Sequence, residues 1–211
     1  MALMLISQHP DTRHFYLLSD PFSRAALRLT TAGSSDWLTQ EQALALARGG
    51  AGRLPTTLKL RDQAGKRLTD ILWTAMPPLV CAATRVVDAM AERRLTGWST
   101  YPVEVIHQGE FLEGYQGLAI LGRGGGRDRT KSPIIDKPAP IPGGKPYRAY
   151  RGLFFDEDHW DGSDLFFVDG FIVVTQPAHD YFVRSKVSNI RLTPISEVEI
   201  DVALDRYMGG E

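Results

Sequence analysis

Between Asp164 and Leu192 the chain reads DLFFVDGFIVVTQPAHDYFVRSKVSNIRL, and its apolar positions change rhythm twice. Two four-residue apolar arms, Leu165 to Val168 and Phe171 to Val174, flank Asp169-Gly170. That dipeptide suits a two-residue hairpin turn, which needs positive φ at both central positions. Further on, Ala178, Tyr181, Phe182 and Ser185 fall at i, i+3, i+4 and i+7, the spacing of one helix face, with Thr175 as N-cap and Pro177 in the first turn. Ser188-Asn189 then turns the chain, and Ile190 to Leu192 reads as a strand stopped by Pro194. The pattern predicts strand, strand, helix, strand, with the hairpin buried as scaffold.

Elsewhere the same rules give a coarser picture. Short apolar segments at Leu3 to Ile6, Phe15 to Leu18 and Leu58 to Leu60 predict strands. Between the last two lies a helix opened by the capping box Thr39 and Gln42 and stopped by Gly49-Gly50. Asp62 to Lys66 reads as a polar turn and Asp70 to Thr74 as a short strand. Leu79, Val80, Ala83, Val86, Val87 and Met90 keep a helical rhythm, which predicts the main helix over residues 78–94. Tyr101 to Ile106 reads as a strand, Gln108-Gly109 as a hairpin turn and Tyr115 to Leu121 as a second apolar arm. Residues 122–146, rich in Gly and Pro, predict a long mobile loop. In the tail, Val198, Ile200, Val202 and Leu204 alternate with polar partners as in a one-sided strand.

These elements predict an α+β domain: a mostly antiparallel sheet from residues 101–121 and 165–204, covered by two main helices at 78–94 and 176–187. Residues 61–211 form that domain, and residues 1–60 either complete its sheet or make a lobe of their own.

Composition narrows the function classes. The chain has 211 residues, 24 basic against 25 acidic, and a formal charge of −1, so no global basic excess recruits nucleic acid or anionic lipid. The single cysteine, Cys81, rules out an intrachain disulfide framework and a cysteine-rich zinc site. No stretch approaches a membrane span, and the N-terminus makes a poor signal peptide, so the expected location is the cytoplasm.

Two loops carry the candidate chemistry. Gly122-Arg-Gly-Gly-Gly-Arg127 invites a phosphate-cradle reading but lacks both the Gly-Lys-Ser/Thr ending and a following helix. With Arg123, Arg127, Arg129 and Lys131 the stretch is locally basic, which suits an acidic protein surface or RNA. The acidic loop Asp156-Glu157-Asp158-His159-Trp160-Asp161 suits a basic partner with Trp160 as anchor or packing lid. It also offers Asp156, Asp158 and His159 to a metal-assisted hydrolase, although its spacing is not that of a calcium loop. No nucleophile motif or paired-histidine metal motif is present, and Glu104 and Glu113 read as solvent-facing strand positions. The sequence therefore predicts no catalytic residue, no metal site and no cofactor.

The order of segments from about residue 69 to 195 resembles the myxobacterial-type immunity-protein family of bacterial polymorphic toxin systems, long carried as a domain of unknown function. The matching pieces are Asp70-Ile-Leu-Trp, the helix after Pro78, Tyr101-Pro-Val-Glu-Val and Leu118-Ala-Ile-Leu-Gly-Arg. They continue with Leu153-Phe-Phe-Asp-Glu, Asp164-Leu-Phe, Ile172-Val-Val-Thr and Asn189-Ile-Arg-Leu-Thr-Pro. The resemblance implies a non-enzymatic protein that binds and neutralises a cognate toxin. Asp156, Glu157, Asp158, Trp160 and Asp161 are the expected contacts for a basic toxin, and Arg123, Arg127 and Arg129 for an acidic one.

Overall fold

The computed structural model describes residues 15–32, 38–50 and 57–207; the strand predicted at Leu3 to Ile6 lies outside the described residues. The first half contains β1 (Phe15–Ser19), β2 (Arg28–Thr31), α1 (Gln40–Ala47), β3 (Leu58–Ala64), β4 (Ile71–Trp73), β5 (Val80–Ala83), α2 (Thr84–Glu92) and β6 (Trp98–Tyr101). Next come β7 (Val103–His107), β8 (Glu110–Leu112), β9 (Tyr115–Ile120), β10 (Gly122–Arg123), β11 (Ile134–Lys137) and β12 (Tyr147–Arg151). The chain continues through β13 (Leu165–Val168), β14 (Phe171–Thr175), α3 (Gln176–Arg184), β15 (Arg191–Pro194), β16 (Glu199–Asp201) and α4 (Val202–Tyr207). The fold is α+β and mostly antiparallel; of the strand pairs among the described residues, β10 with β13 and β3 with β7 are parallel. Among those residues no helix is long and apolar enough to cross a membrane.

The β13–β14 hairpin forms as its sequence predicts, with Asp169 at φ 50° and Gly170 at φ 85°. It lies inside a five-stranded sheet of order β10-β13-β14-β1-β15, so part of the N-terminal segment completes the hairpin's own sheet. Along β13, Leu165 and Phe167 enter one hydrophobic cluster while Phe166 and Val168 enter another. Period-two side chains thus meet apolar matter on both faces, which explains an unbroken apolar run where a half-solvated strand would alternate. Phe166 and Phe182 are buried and Phe171 is half-buried.

The single predicted sheet is divided. Pro102 separates β6, which pairs with β9, from β7, which pairs with β3 and β8, because proline has no N–H to carry the ladder across the junction. The Gln108-Gly109 turn closes a hairpin onto β8, and Tyr115 to Ile120 instead lies between β5 and β6. The helix predicted over 78–94 begins only at Thr84. Val80 to Ala83 form a strand between β4 and β9, a central slot in which small side chains are enclosed on both faces. A short buried apolar run fits strand and helix rhythms alike, and the pairing partner decides between them. The predicted loop at 122–146 contains β10 and β11, leaving residues 138–146 as the exposed connection to β12. The tail strand stops at Asp201, whose carboxylate accepts the Ala203 N–H at 2.7 Å and starts α4. Likewise β3 runs through Asp62 to Ala64, so the polar turn narrows to the residues after it.

Buried carboxylates tie the sheets together. Asp70, just before β4, accepts hydrogen bonds from Arg85 Nε at 2.6 Å and from the Ser188 N–H and Oγ, each at 2.7 Å. Trp73 Nε1 donates to the Asn189 carbonyl at 2.7 Å beside it. The α3–β15 turn is thereby fastened to a different sheet. Burial alone would raise the Asp70 carboxyl, but the bonds from Arg85 and Ser188 outweigh it and hold the group below the usual carboxylate range. A lowered folded-state value means that the charged form contributes stability above the ordinary range and that this contribution is lost as pH falls through the folded value. Asp70→Asn is therefore expected to cost about 2 kcal/mol in urea unfolding at neutral pH, near the low end for charged hydrogen bonds because Arg85 is half exposed. The gap from the wild type should close as the pH is taken below the carboxylate range.

Candidate functional site

The two loops nominated separately by sequence lie side by side. β10 pairs with the outer edge of β13, Gly122 opposite Phe166 and Arg123 opposite Phe167. Glycine is required there by close approach: a Cβ on Gly124 would stand 2.6 Å from the Phe166 ring, and one on Gly122 2.3 Å from the Leu165 carbonyl oxygen. The other edge of β10 is covered by the acidic loop. The Asp161 N–H donates to the Arg123 carbonyl at 3.0 Å, and the Arg123 N–H donates to the Asp161 carboxylate at 2.9 Å. At Gly125 an added Cβ would lie 3.0 Å from His159 Cβ, so the loops also touch beyond the strand.

Each predicted contact residue then acquires a distinct place. Asp161 is committed internally, since its second carboxylate oxygen accepts the Ser163 N–H at 3.1 Å. Burial would raise this carboxyl, but the Ser163 and Arg123 bonds prevail and lower it. Trp160 is half-buried: its ring meets Phe15 edge-on at 5.2 Å and Phe166 at 5.5 Å, and its Nε1 donates to the Ser163 carbonyl at 3.0 Å. Asp156 opens a 3-10 turn at Glu157–His159 by accepting the Asp158 N–H at 3.1 Å, and it lies 3.4 Å from His159 Nδ1. Asp156, Glu157 and Asp158 are all exposed.

The basic candidates separate in the same way. Arg123 is exposed. Arg127 has a fully buried side chain, placed between the rings of Tyr150 and Phe171 and paired with Asp205. Its Nε and Nη1 find no hydrogen-bond partner among the described residues. Arg129 reaches Asp205 at 2.9 Å and Asp169 at 3.1 Å. The Asp205 carboxyl, which burial would raise, is held low by Arg129 and Arg127. Lys131 lies 3.3 Å from Asp128. Most of the basic run therefore clamps α4 and the hairpin tip.

What remains outward is one mixed face: an acidic lip of Asp156, Glu157 and Asp158 beside Arg123 and the open backbone of Gly125 and Gly126. A groove of about 450 Å³ borders it, lined by Arg48, Leu121 and Phe167 as well as by the glycine loop. Arg48 lines this groove and Asp205 holds Arg127 and Arg129 behind it; neither is legible along the sequence, because each meets the glycine-rich run only through the fold. Among the described residues no three His, Cys, Asp or Glu side chains converge closely enough to hold a metal ion. Glu104 lies 3.2 Å from Lys59 on the neighbouring strand. The chain matches no family model and no curated protein.

Replacing Asp161 should loosen the junction without removing the outward charges. Asp161→Ala is expected to raise hydrogen exchange at the Arg123 amide and to cost about 1 kcal/mol, whereas Glu157→Gln should leave both unchanged. Exchange at Arg123 that is the same in Asp161→Ala and the wild type would contradict the pairing.

Proposed function

We propose that this chain is a non-enzymatic immunity protein of the cytoplasm that binds and neutralises a cognate toxin protein through the mixed face of residues 122–126 and 156–161. The observation that carries the reading is the acidic lip. Three exposed carboxylates are displayed on a loop whose root is fixed by the Asp161–Arg123 pairing and by Trp160 in the aromatic core. The order of segments resembling immunity proteins supplies the biological class. A pre-ordered charged loop favours recognition, because little side-chain and backbone freedom is lost when the partner arrives.

The lip calls for a basic toxin surface. Complementary charge accelerates encounter and fixes orientation, while the remainder of a standard interface, roughly 1,200–2,000 Å² in total, excludes water around it. Neutralisation follows if that basic surface is the toxin's substrate-binding face, since covering it blocks access without any chemistry by this chain. Arg123, an exposed cationic side chain beside the lip, then serves orientation by rejecting the reversed approach.

Co-expression with the product of the adjacent gene tests the reading. The expected result is a stable complex and survival of the host, with affinity falling at least about tenfold when Asp156, Glu157 and Asp158 are all changed to Lys, and falling for the wild type as salt rises. No complex and no protection would refute the immunity reading; a complex indifferent to the triple change would refute the assigned face.

A further inference from the structure

We propose that the groove between the end of α1 and the glycine-rich loop is an oxyanion site for a phosphate group. The site shares Arg123 and the glycine turn with the proposed toxin face but does not depend on that reading. Its first support is a pair of guanidinium groups delivered to one concavity by distant parts of the chain, Arg48 from the C-terminal end of α1 and Arg123 from β10. Arg48 lies over the Phe167 ring, 5.7 Å from its centroid, which limits the swing of its planar head. Arg123 springs from a backbone held at both its N–H and its carbonyl by Asp161, so the root of its side chain is fixed.

The second support is the backbone between them. Gly125 adopts φ 72° and abuts His159, whereas at Gly126 an added Cβ would meet nothing within 4 Å, so the turn is open at Gly126. The N–H groups of Gly125 and Gly126 reach no acceptor among the described residues. Successive unpaired amides at a glycine of positive φ form the kind of concavity that receives anionic oxygens. The third support is local charge. Asp169 is the one carboxylate lining the groove, and Arg129 already pairs with it at 3.1 Å. Two arginines therefore line the space with no free carboxylate in the lining itself, and the exposed Asp156, Glu157 and Asp158 stand on the bordering lip.

These donors select among anions. Phosphate brings up to two negative charges and three or more acceptor oxygens, enough to serve two forked cations and two amides together. A lone carboxylate offers one charge and two oxygens and leaves donors unserved. The Gly-Lys-Ser/Thr ending whose lack argues against a phosphate cradle in the sequence is replaced here by arginines assembled through tertiary structure.

Titrating the isotopically labelled full chain with inorganic phosphate and with phenyl phosphate, against sodium chloride at matched ionic strength, tests this. Saturable shifts of the Gly125 and Gly126 amides are expected, and Arg48→Gln and Arg123→Gln should each weaken binding about tenfold with unchanged melting temperature. Lys145→Gln, outside the groove, should bind as the wild type. Binding of the ester at least as tightly as the free ion assigns a phosphoester ligand; binding of the free ion alone assigns inorganic phosphate. Amides that move no more with either phosphate than with chloride, or shifts that survive both arginine changes, would overturn the site.

Discussion

Burial of the β13–β14 hairpin on both faces is the constraint from which the rest of the molecule follows. A strand whose side chains alternate between two apolar clusters has no face left for water, so each side of its sheet must be covered. On one side lie the α2 and α3 faces, with Val86, Met90, Tyr181 and Phe182 in the larger cluster. On the other, Phe15, Phe155 and Ile200 complete the smaller cluster around Phe166, and Trp160 packs against them. The outer edge of β13 needs a partner as well, and only glycines fit against Phe166 and Val168 at that distance.

That requirement converts two loops into one surface. The glycine run is drawn to the edge of β13, the acidic loop is drawn to the outer edge of the glycine run, and Asp161 seals the contact. Charges that look equivalent along the chain then divide into two populations. Asp161 is taken up by neighbouring backbone N–H groups and Arg127 and Arg129 by Asp205 and Asp169, while Asp156, Glu157, Asp158 and Arg123 are exposed. Desolvation offsets much of the attraction in ion pairs as buried as Arg127–Asp205. Their role here is to hold a charged face still.

Local sequence rules read well where the decisive contacts are near in sequence. Asp169-Gly170 specifies its turn, Thr39 and Gln42 make both bonds of their capping box, and the α3 spacing buries Ala178, Tyr181 and Phe182. The same rules fail where a distant partner decides. Val80 to Ala83 keep a helical rhythm yet become a strand because β4 and β9 leave a slot between them. Thr175 precedes α3 as an N-cap residue should, but its hydroxyl donates to Asp164 at 2.8 Å instead of capping the helix. In the candidate site the exposed acids were legible as an acidic run, whereas the burial of Arg127 and the arrival of Arg48 depend on tertiary placement alone.

In the proposed function, residues from both loops act as one contact face. Hydrogen exchange of the chain alone and bound to the proposed toxin partner measures this directly. Joint protection of residues 122–126 and 156–161 is expected on binding, with the β13–β14 hairpin already slow in both states. Protection confined to other surfaces, such as the exposed connection at 138–146, with both loops unchanged, would contradict it.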